Sequence, residues 1–380
     1  MCTVGVFGFG NVGRTLARQA KDVGIRVSLV ADSSGVLVSS AVGGFNRQQL
    51  AALGEAKSAG KKLSAQLGDW TVFESASEAL DSSKFKLCVK PVLADCSAFE
   101  SPEAYLLPAL KRGIPVALAN KKPLTGKYEW YEQLMASPSK IGIEATCGAG
   151  LPVMVTCDRL VESGDKMTRV EGQLSGTLGY VLSALEAGGK FSKIVAEAKA
   201  LGYTEPDPRD DLSGLDVARK ALILGRRFLG KEAGSMADVK VEALYPPEFG
   251  ELSIDEFMRR LPELDALYAD KVANAAKSDK RLRYCAVVEP GKQIVVGLQE
   301  VPADSALAGL KGTDNLIAFK TKWYNGNPLV VRGPGAGAEV TAGGVLADIA
   351  MLVHKNYKSG RPRRRGKTSR APPRAHEGVL

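Results

Sequence analysis

Short β-branched runs alternate with amphipathic stretches through the first third of the chain. Residues 3–7, 26–31, 115–119 and 140–143 read as buried strands, with either 85–89 or 92–96 between them. Residues 11–23, 102–111 and 128–135 carry apolar positions at helical spacing. Strands that alternate with helices predict a mostly parallel sheet covered on both faces. Lys90-Pro91 interrupts the pattern. Proline has no ladder N–H, so it predicts a strand edge or a short insertion rather than a continuous central strand.

The texture changes near Pro152. Residues 155–161, 181–185, 191–201 and 215–229 read as helices and 168–174 as a strand, followed by extended runs at 282–288, 294–301, 315–322 and 329–331. Elements grouped in this way predict an α+β unit. A glycine-rich turn, Gly333-Pro-Gly-Ala-Gly337, then leads into an apolar helix over 340–353 that is placed to return to the first unit.

The chain has 380 residues and is 45% hydrophobic, enough for a large core divided between two domains. No stretch has the roughly 18 uninterrupted apolar residues of a membrane span. The first residues already read as a strand, so no secretory signal is expected. Six cysteines without CxxC spacing suit reduced thiols in a cytoplasmic enzyme. With only His354 and His376 as histidines, zinc catalysis and Ser-His-Asp chemistry lack raw material. The net charge of +9 is uneven: residues 357–380 hold eight basic side chains and one acid, which leaves about +2 for the rest. That tail, rich in Arg, Pro and Gly, reads as disordered and solvated.

Gly8-Phe-Gly10-Asn-Val-Gly13 lies between a strand and a helix at the start of an α/β unit. Glycines so placed allow a tight turn, a close approach of Asn11 and Val12 backbone to a pyrophosphate, and contact of helix with strand. Asp32 ends the second strand, where an acid meets ribose hydroxyls; both NAD and NADP stay open. Lys121 follows the strand 115–119 and so faces the ligand crevice. Glu144-Ala-Thr-Cys-Gly-Ala-Gly-Leu-Pro152 offers backbone carbonyls to a monovalent cation. Cys147 in that loop has no histidine to activate it and reads as a packed thiol. Ser175-Gly176-Thr177 suits a carboxylate, or Thr177 is simply a helix cap.

The densest segment is Gly202–Lys220. Glu205, Asp207, Asp210 and Asp211 crowd a loop that two prolines stiffen. Carboxylates at this density call for cations or a cationic substrate. Ser213 and Asp216 have capping-box spacing, and Asp216 and Lys220 share a helix face, the arrangement of a proton-handling pair.

From Val4 to about Val353 the chain resembles homoserine dehydrogenases. The residues that carry the resemblance are Gly8–Gly13, Asn120–Pro123, Glu144–Pro152, Ser175–Thr177, Gly202–Lys220 and Gly333–Gly337 with Thr341-Ala342. The short, monofunctional forms are the nearer match. The resemblance implies a Rossmann-type nucleotide-binding domain over 1–150, completed by 333–356, with an inserted α+β catalytic and dimerisation domain over 151–332. It implies reversible, NADP- or NAD-dependent reduction of L-aspartate 4-semialdehyde to L-homoserine, on the route to threonine, isoleucine and methionine. Lys220 and Lys121 would be the acid/base lysines, with Asp216 orienting Lys220. Glu205, Asp211, Gly176, Thr177 and Tyr203 would line the substrate pocket. Gly8, Gly10, Asn11, Val12, Gly13, Asp32, Ser97, Lys121 and Gly337 would meet the cofactor. Backbone oxygens of Glu144, Cys147, Ala149 and Leu151 would hold sodium, and the enzyme would be a homodimer without membrane or nucleic-acid partners. Gly179, Lys90-Pro91 and the basic tail depart from the family pattern. The alternative is a related oxidoreductase acting on another amino acid or aldehyde.

Hydride delivery to the aldehyde carbon leaves an alkoxide, which an ammonium can stabilise and protonate. In reverse the lysine must be neutral. A free lysine titrates near pH 10.4, so homoserine oxidation is expected to favour alkaline conditions.

Overall fold

The computed structural model describes residues 2–357 except 83, 84, 86 and 87. Residues 358–380, the bulk of the basic tail, lie outside the described residues, as do 86 and 87 of the candidate strand 85–89, whose other three residues are not in a strand.

The first sheet has seven strands: β1 (Thr3–Phe7), β2 (Arg26–Asp32), β3 (Gly35–Ser39), β4 (Trp70–Phe73), β5 (Pro91–Asp95), β6 (Val116–Leu118) and β7 (Ile141–Gly142). They lie in the order β4-β3-β2-β1-β5-β6-β7. β2, β1, β5, β6 and β7 are parallel, whereas β3 pairs antiparallel with both β2 and β4. Strand order therefore reverses between β1 and β5, and the carboxyl ends of those strands flank a ligand crevice. The parallel strands occur as read from the sequence, within two residues at each end. β3 was not anticipated: Ser33-Ser34 turns the chain straight back, pairing Asp32 with Gly35.

The expectation at Lys90-Pro91 holds in part: Pro91 marks where a strand begins, but that strand is not at the edge of the sheet. β5 is central, hydrogen-bonded to β1 on one side and β6 on the other. Proline is tolerated because Pro91 is the strand's first residue, and Lys90 turns into it with φ +49°.

The second sheet contains β8 (Met167–Gln173), β9 (Lys240–Val241), β10 (Lys280–Val288), β11 (Val295–Pro302), β12 (Asp314–Thr321) and β13 (Leu329–Pro334), ordered β13-β12-β8-β10-β11-β9. The helix Leu215–Leu229 has the bounds read from the sequence, and nine of its residues are buried. Its apolar face packs into a core that runs unbroken from β1 and β5 to β10 and β12. On the opposite face of this sheet, Cys285, Leu316 and Ala318 are covered by the segment carrying Leu307 and Leu310. Arg283, only 1% exposed, secures that cover by donating to the carbonyls of Leu307 at 3.0 Å and Ala308 at 2.5 Å, and to Glu186 at 2.8 Å.

The return helix is Ala338–Asn356. Ala342, Val345, Ile349 and Leu352 recur at helical spacing and join Val4, Val6, Leu16 and Ala17 in one core. Burial of Val345, Ile349 and Leu352 stabilises this docking by about 1.5–3 kcal/mol each. The same face carries a carboxylate. Asp348 Oδ2 accepts the Glu144 N–H at 2.9 Å, and a β-carbon on Gly142 would sit 2.5 Å from the Asp348 carboxyl.

Burial pushes the Asp348 carboxyl up to about 7. A raised acid pKa destabilises the fold as pH rises from the unfolded value, near 4, through the folded one. Asp348→Asn retains an acceptor for Glu144 N. It should therefore gain about 1–4 kcal/mol over the parent at pH 8 and little at pH 4, as read from denaturation midpoints at the two pH values.

Candidate active site

Three glycines after β1 do different work, legible in the space around them. Gly8 has φ +85°, and a β-carbon there would lie 2.4 Å from Ser97 N. At Gly13 a β-carbon would lie 2.0 Å from the Gly8 carbonyl oxygen, so only glycine lets the helix Asn11–Asp22 close on β1. Gly10 has no protein atom within 4 Å of its β-carbon position. It caps that helix without a side chain, so the N–H groups of Asn11, Val12 and Gly13 begin the helix unpaired. Beside this turn lies a groove of about 690 Å³ bordered by Gly8, Gly10, Asp32, Lys57, Ser97 and Phe99.

Asp32 closes β2, as read from the sequence. Its ion-pair partner is Lys57, on the helix Arg47–Ser58, and its Oδ1 accepts Ser34 N at 2.8 Å and Ser34 Oγ at 2.6 Å. Burial pushes this carboxyl up, but Lys57 and Ser34 outweigh burial and hold it below the ordinary value. Sequence reasoning missed Lys57. The helix formers after Asn46, a residue that does make a capping box with Gln49, were the available signal.

Ser97 stands at the end of β5, beside Gly8. The buried Asp95 accepts Ser97 N at 2.9 Å and Asn120 Nδ2 at 3.3 Å. Asn120 also donates to Phe99 O at 3.1 Å, and its Oδ1 accepts Lys122 N at 3.1 Å. Burial pushes the Asp95 carboxyl up, only partly offset by Ser97, Tyr105 and Asn120. This network, also missed, joins the Ser97 turn to the segment carrying Lys121.

A second cleft, of about 700 Å³, shares Cys96, Ser97 and Ala98 with the first. Val12, Lys121, Ser175, Glu205, Asp210, Asp211, Asp216, Lys220, Gly337 and Thr341 line it. Lys121 comes from the loop after β6 and Lys220 from the second turn of the helix Leu215–Leu229. Asp216 joins them: its Oδ1 is 3.2 Å from Lys121 Nζ and its Oδ2 is 2.9 Å from Lys220 Nζ. Lys220 Nζ also donates to Leu174 O at 2.6 Å and is itself buried. Burial pushes the Asp216 carboxyl up, yet the two ammoniums prevail and hold it far below the usual carboxylate range. Lys220 has three N–H donors, so one beyond these two contacts is available to the cleft.

The other acids sort by partner. Asp207 pairs with Arg209 at 2.6 Å. Asp211 accepts Glu205 N at 2.8 Å and lies 3.0 Å from the Thr177 hydroxyl. Burial pushes its carboxyl up against those contacts. Glu205 and Asp210 border the cleft and are in no ion pair among the described residues. Gly176, Thr177 and Tyr203 do not border this cleft: the Thr177 hydroxyl is 2.5 Å from Tyr203 O, and the exposed Tyr203 packs edge-on against Tyr180.

Two expected caps are corrected. The helix Leu215–Leu229 begins at Gly214, with φ +72°, and has no side-chain cap; Ser213 Oγ accepts Leu215 N at 3.3 Å instead. Only two residues separate it from the helix Pro208–Leu212, so the chain reverses through a left-handed residue that serine would not favour. At the other site Ser175, not Thr177, caps the helix, accepting Leu178 N at 3.2 Å. Gly179 has a structural reason: a β-carbon there would lie 2.4 Å from Nε2 of the buried Gln173.

The Glu144–Pro152 loop turns through Gly148 (φ +89°) and Ala149 (φ +57°). The Glu144 carboxylate accepts Met154 N at 2.7 Å and Val155 N at 3.0 Å, which pins the loop to the next helix. Cys147 is fully buried, and burial pushes its thiol up to about 12, as befits a packed thiol.

A sheet with this strand order, a glycine turn at its switch point and a catalytic-looking cleft beyond it define a dinucleotide-binding α/β protein. A family model described as homoserine dehydrogenase matches residues 152–350. A homoserine dehydrogenase of Emericella nidulans is 43% identical over 261 residues, 65% of this chain and 71% of that one. The maize bifunctional aspartokinase/homoserine dehydrogenase 1 is 41% identical over 374 residues, 92% of this chain; the chain spans 38% of that relative's length. Among solved structures, a hyperthermophilic archaeal homoserine dehydrogenase in complex with NADPH superposes with TM-score 0.70 at 26% identity, covering 93% of this chain and 98% of that one. The chain belongs to the homoserine dehydrogenase family.

Gly10→Ala should fold with an unchanged melting temperature, because its β-carbon enters open space, yet bind cofactor more weakly. Gly13→Ala should lose about 1–3 kcal/mol of stability through overpacking. Thermal melts beside cofactor fluorescence titrations separate the two.

Proposed function

We propose that this protein is a homoserine dehydrogenase that reversibly reduces L-aspartate 4-semialdehyde to L-homoserine. The observation that carries the reading is the Lys121–Asp216–Lys220 bridge in a cleft that opens into the glycine-lined groove. Bound NAD(P)H supplies the hydride. Lys220 donates a proton to the carbonyl oxygen as negative charge develops there, and Lys121 adds a second positive charge. Asp216 keeps both ammoniums aimed at one point. Glu205 and Asp210, without cationic partners of their own, attract the substrate's α-ammonium, with Asp211, Gly176, Thr177 and Tyr203 shaping that end. N–H groups near Ser175 receive its carboxylate. Another amino acid or aldehyde as substrate is not favoured, given the family match across the substrate-side residues.

In the nucleotide groove Gly10 leaves room for the pyrophosphate, and the N–H groups of Asn11, Val12 and Gly13 meet it. Asp32, Ser97 and Gly337 border the rest. Lys57 neutralises Asp32, so a 2′-phosphate is not repelled; NADP is the proposed preference. Backbone oxygens of Glu144, Cys147, Ala149 and Leu151 suit sodium. Those of Glu144 and Leu151 already accept one N–H each, and a carbonyl retains a second lone pair. Residues 1–150, with 333–356, act as the nucleotide domain and 151–332 as the catalytic and dimerisation domain. A homodimer forms through the second sheet, whose edge strand β13 pairs only with β12 among the described residues. Cys2, Cys96, Cys147, Cys157 and Cys285 are free thiols, which fits a cytoplasmic setting. No described helix is long and apolar enough to cross a membrane.

Lys220→Ala should lower turnover of homoserine by about 10²–10⁴-fold with cofactor affinity nearly intact, as followed by absorbance of the reduced cofactor and by its fluorescence. Wild-type turnover in that variant would refute the reading. Lys57→Ala should lower kcat/KM for NADP several-fold more than for NAD in the same assay.

A further inference from the structure

The bridge at Asp216 requires two lysines from different layers of the fold to meet within one carboxylate's reach. One side chain outside the cleft ties those layers together. Arg226 lies six residues past Lys220 on the same helix, about 9 Å further along its axis, and is only 2% exposed. Its Nη1 donates to Leu124 O at 2.8 Å and its Nη2 to Gly126 O at 2.9 Å. Nε and Nη2 both reach Gly234 O, at 3.3 and 3.1 Å. The guanidinium also lies 5.6 Å from the ring centre of Tyr128 and 5.4 Å from that of Tyr131.

Among the described residues Arg226 is in no ion pair, whereas its neighbour Arg227 pairs with Asp158. A buried cation without a carboxylate is costly to desolvate, and an apolar side chain would fill the space without that cost. What only a guanidinium offers is a rigid plane of five donors that fixes several carbonyls at set angles. Two of the carbonyls held belong to the turn that Lys121 begins. Lys121 starts the helix Lys122–Thr125, and its own carbonyl accepts Leu124 N at 3.0 Å and Thr125 N at 3.1 Å. A shift of Leu124 and Gly126 therefore moves Lys121 with them.

We propose that Arg226 is a positioning residue, which grips the Lys121 turn from the helix that carries Lys220 and so sets the spacing at which Asp216 bridges both lysines. The inference rests on the reading of those lysines as the acid/base pair. Arg283 supplies the control: it is equally buried and also binds backbone carbonyls, but within the second sheet and away from the cleft.

The test compares Arg226→Lys with Arg283→Lys in the full chain, well below both melting temperatures. Arg226→Lys is expected to lower kcat for homoserine oxidation on the order of 10–100-fold, the effect of roughly 1 Å of misplacement. KM for homoserine should rise no more than a few-fold and NADPH affinity should stay within about twofold, because the nucleotide groove is untouched. Arg283→Lys should keep kcat within about twofold at a similar loss of melting temperature. A kcat loss in Arg226→Lys no larger than in Arg283→Lys overturns the proposal. Lys121→Ala and Lys220→Ala keep the two readings apart: wild-type turnover in both removes the acid/base assignment, whereas slow turnover in both with a normal Arg226→Lys removes only the positioning role.

Discussion

One carboxylate between two ammonium groups organises this protein. Neither lysine on its own needs the other, and nothing in the local conformation of either segment brings them together. Asp216 accepts one on each oxygen, and it stays ionised against burial because both are there. Remove the carboxylate and two like charges face each other across the cleft with no counter-charge between them. The joint between the loop after β6 and the helix Leu215–Leu229 is thus also the centre we propose for the chemistry. The arrangement is sensitive for that reason: its geometry is only as good as the packing of one layer on the other.

The rest of the molecule supports that joint from both sides. On one side, the buried Asp95 gathers the Ser97 turn and Asn120, the residue before Lys121, into one network. On the other, the αL turn at Gly214 aims the first turn of the helix so that Asp216 and Lys220 enter the cleft. A β-carbon at Gly214 would meet the Tyr284 hydroxyl at 1.9 Å. From below, the return helix Ala338–Asn356 brings Gly337 and Thr341 to the cleft's rim while Asp348 ties its middle to the Glu144 loop. Two of these supports, Asp95 and Asp348, are buried carboxylates that accept backbone N–H groups, which is how a site is held more tightly than apolar packing alone allows.

The four carboxylates of the acidic segment have different partners. Its crowd of carboxylates was legible at once, but their division of labour was not. Asp207 is spent on Arg209 and Asp211 on the backbone of its own loop, while Glu205 and Asp210 are left facing the cleft. All four lie within seven residues, so spacing alone could not sort them; the direction of each side chain depends on how the loop folds.

The linear chain by itself determined the parallel strands, the glycine turn, the return helix and the pairing of Asp216 with Lys220. All of these follow from local periodicity, from residues that only a tight turn needs, or from i,i+4 geometry. Tertiary structure alone decided that Lys121 reaches the same carboxylate, that Lys57 answers Asp32, that Pro91 opens a central strand, and that Gly214 rather than Ser213 starts the helix. Those outcomes join positions 25 to 95 residues apart, or depend on what packs beside a turn. No local pattern encodes them, because the energy that selects them comes from contacts that exist only once segments distant in the chain have packed against one another.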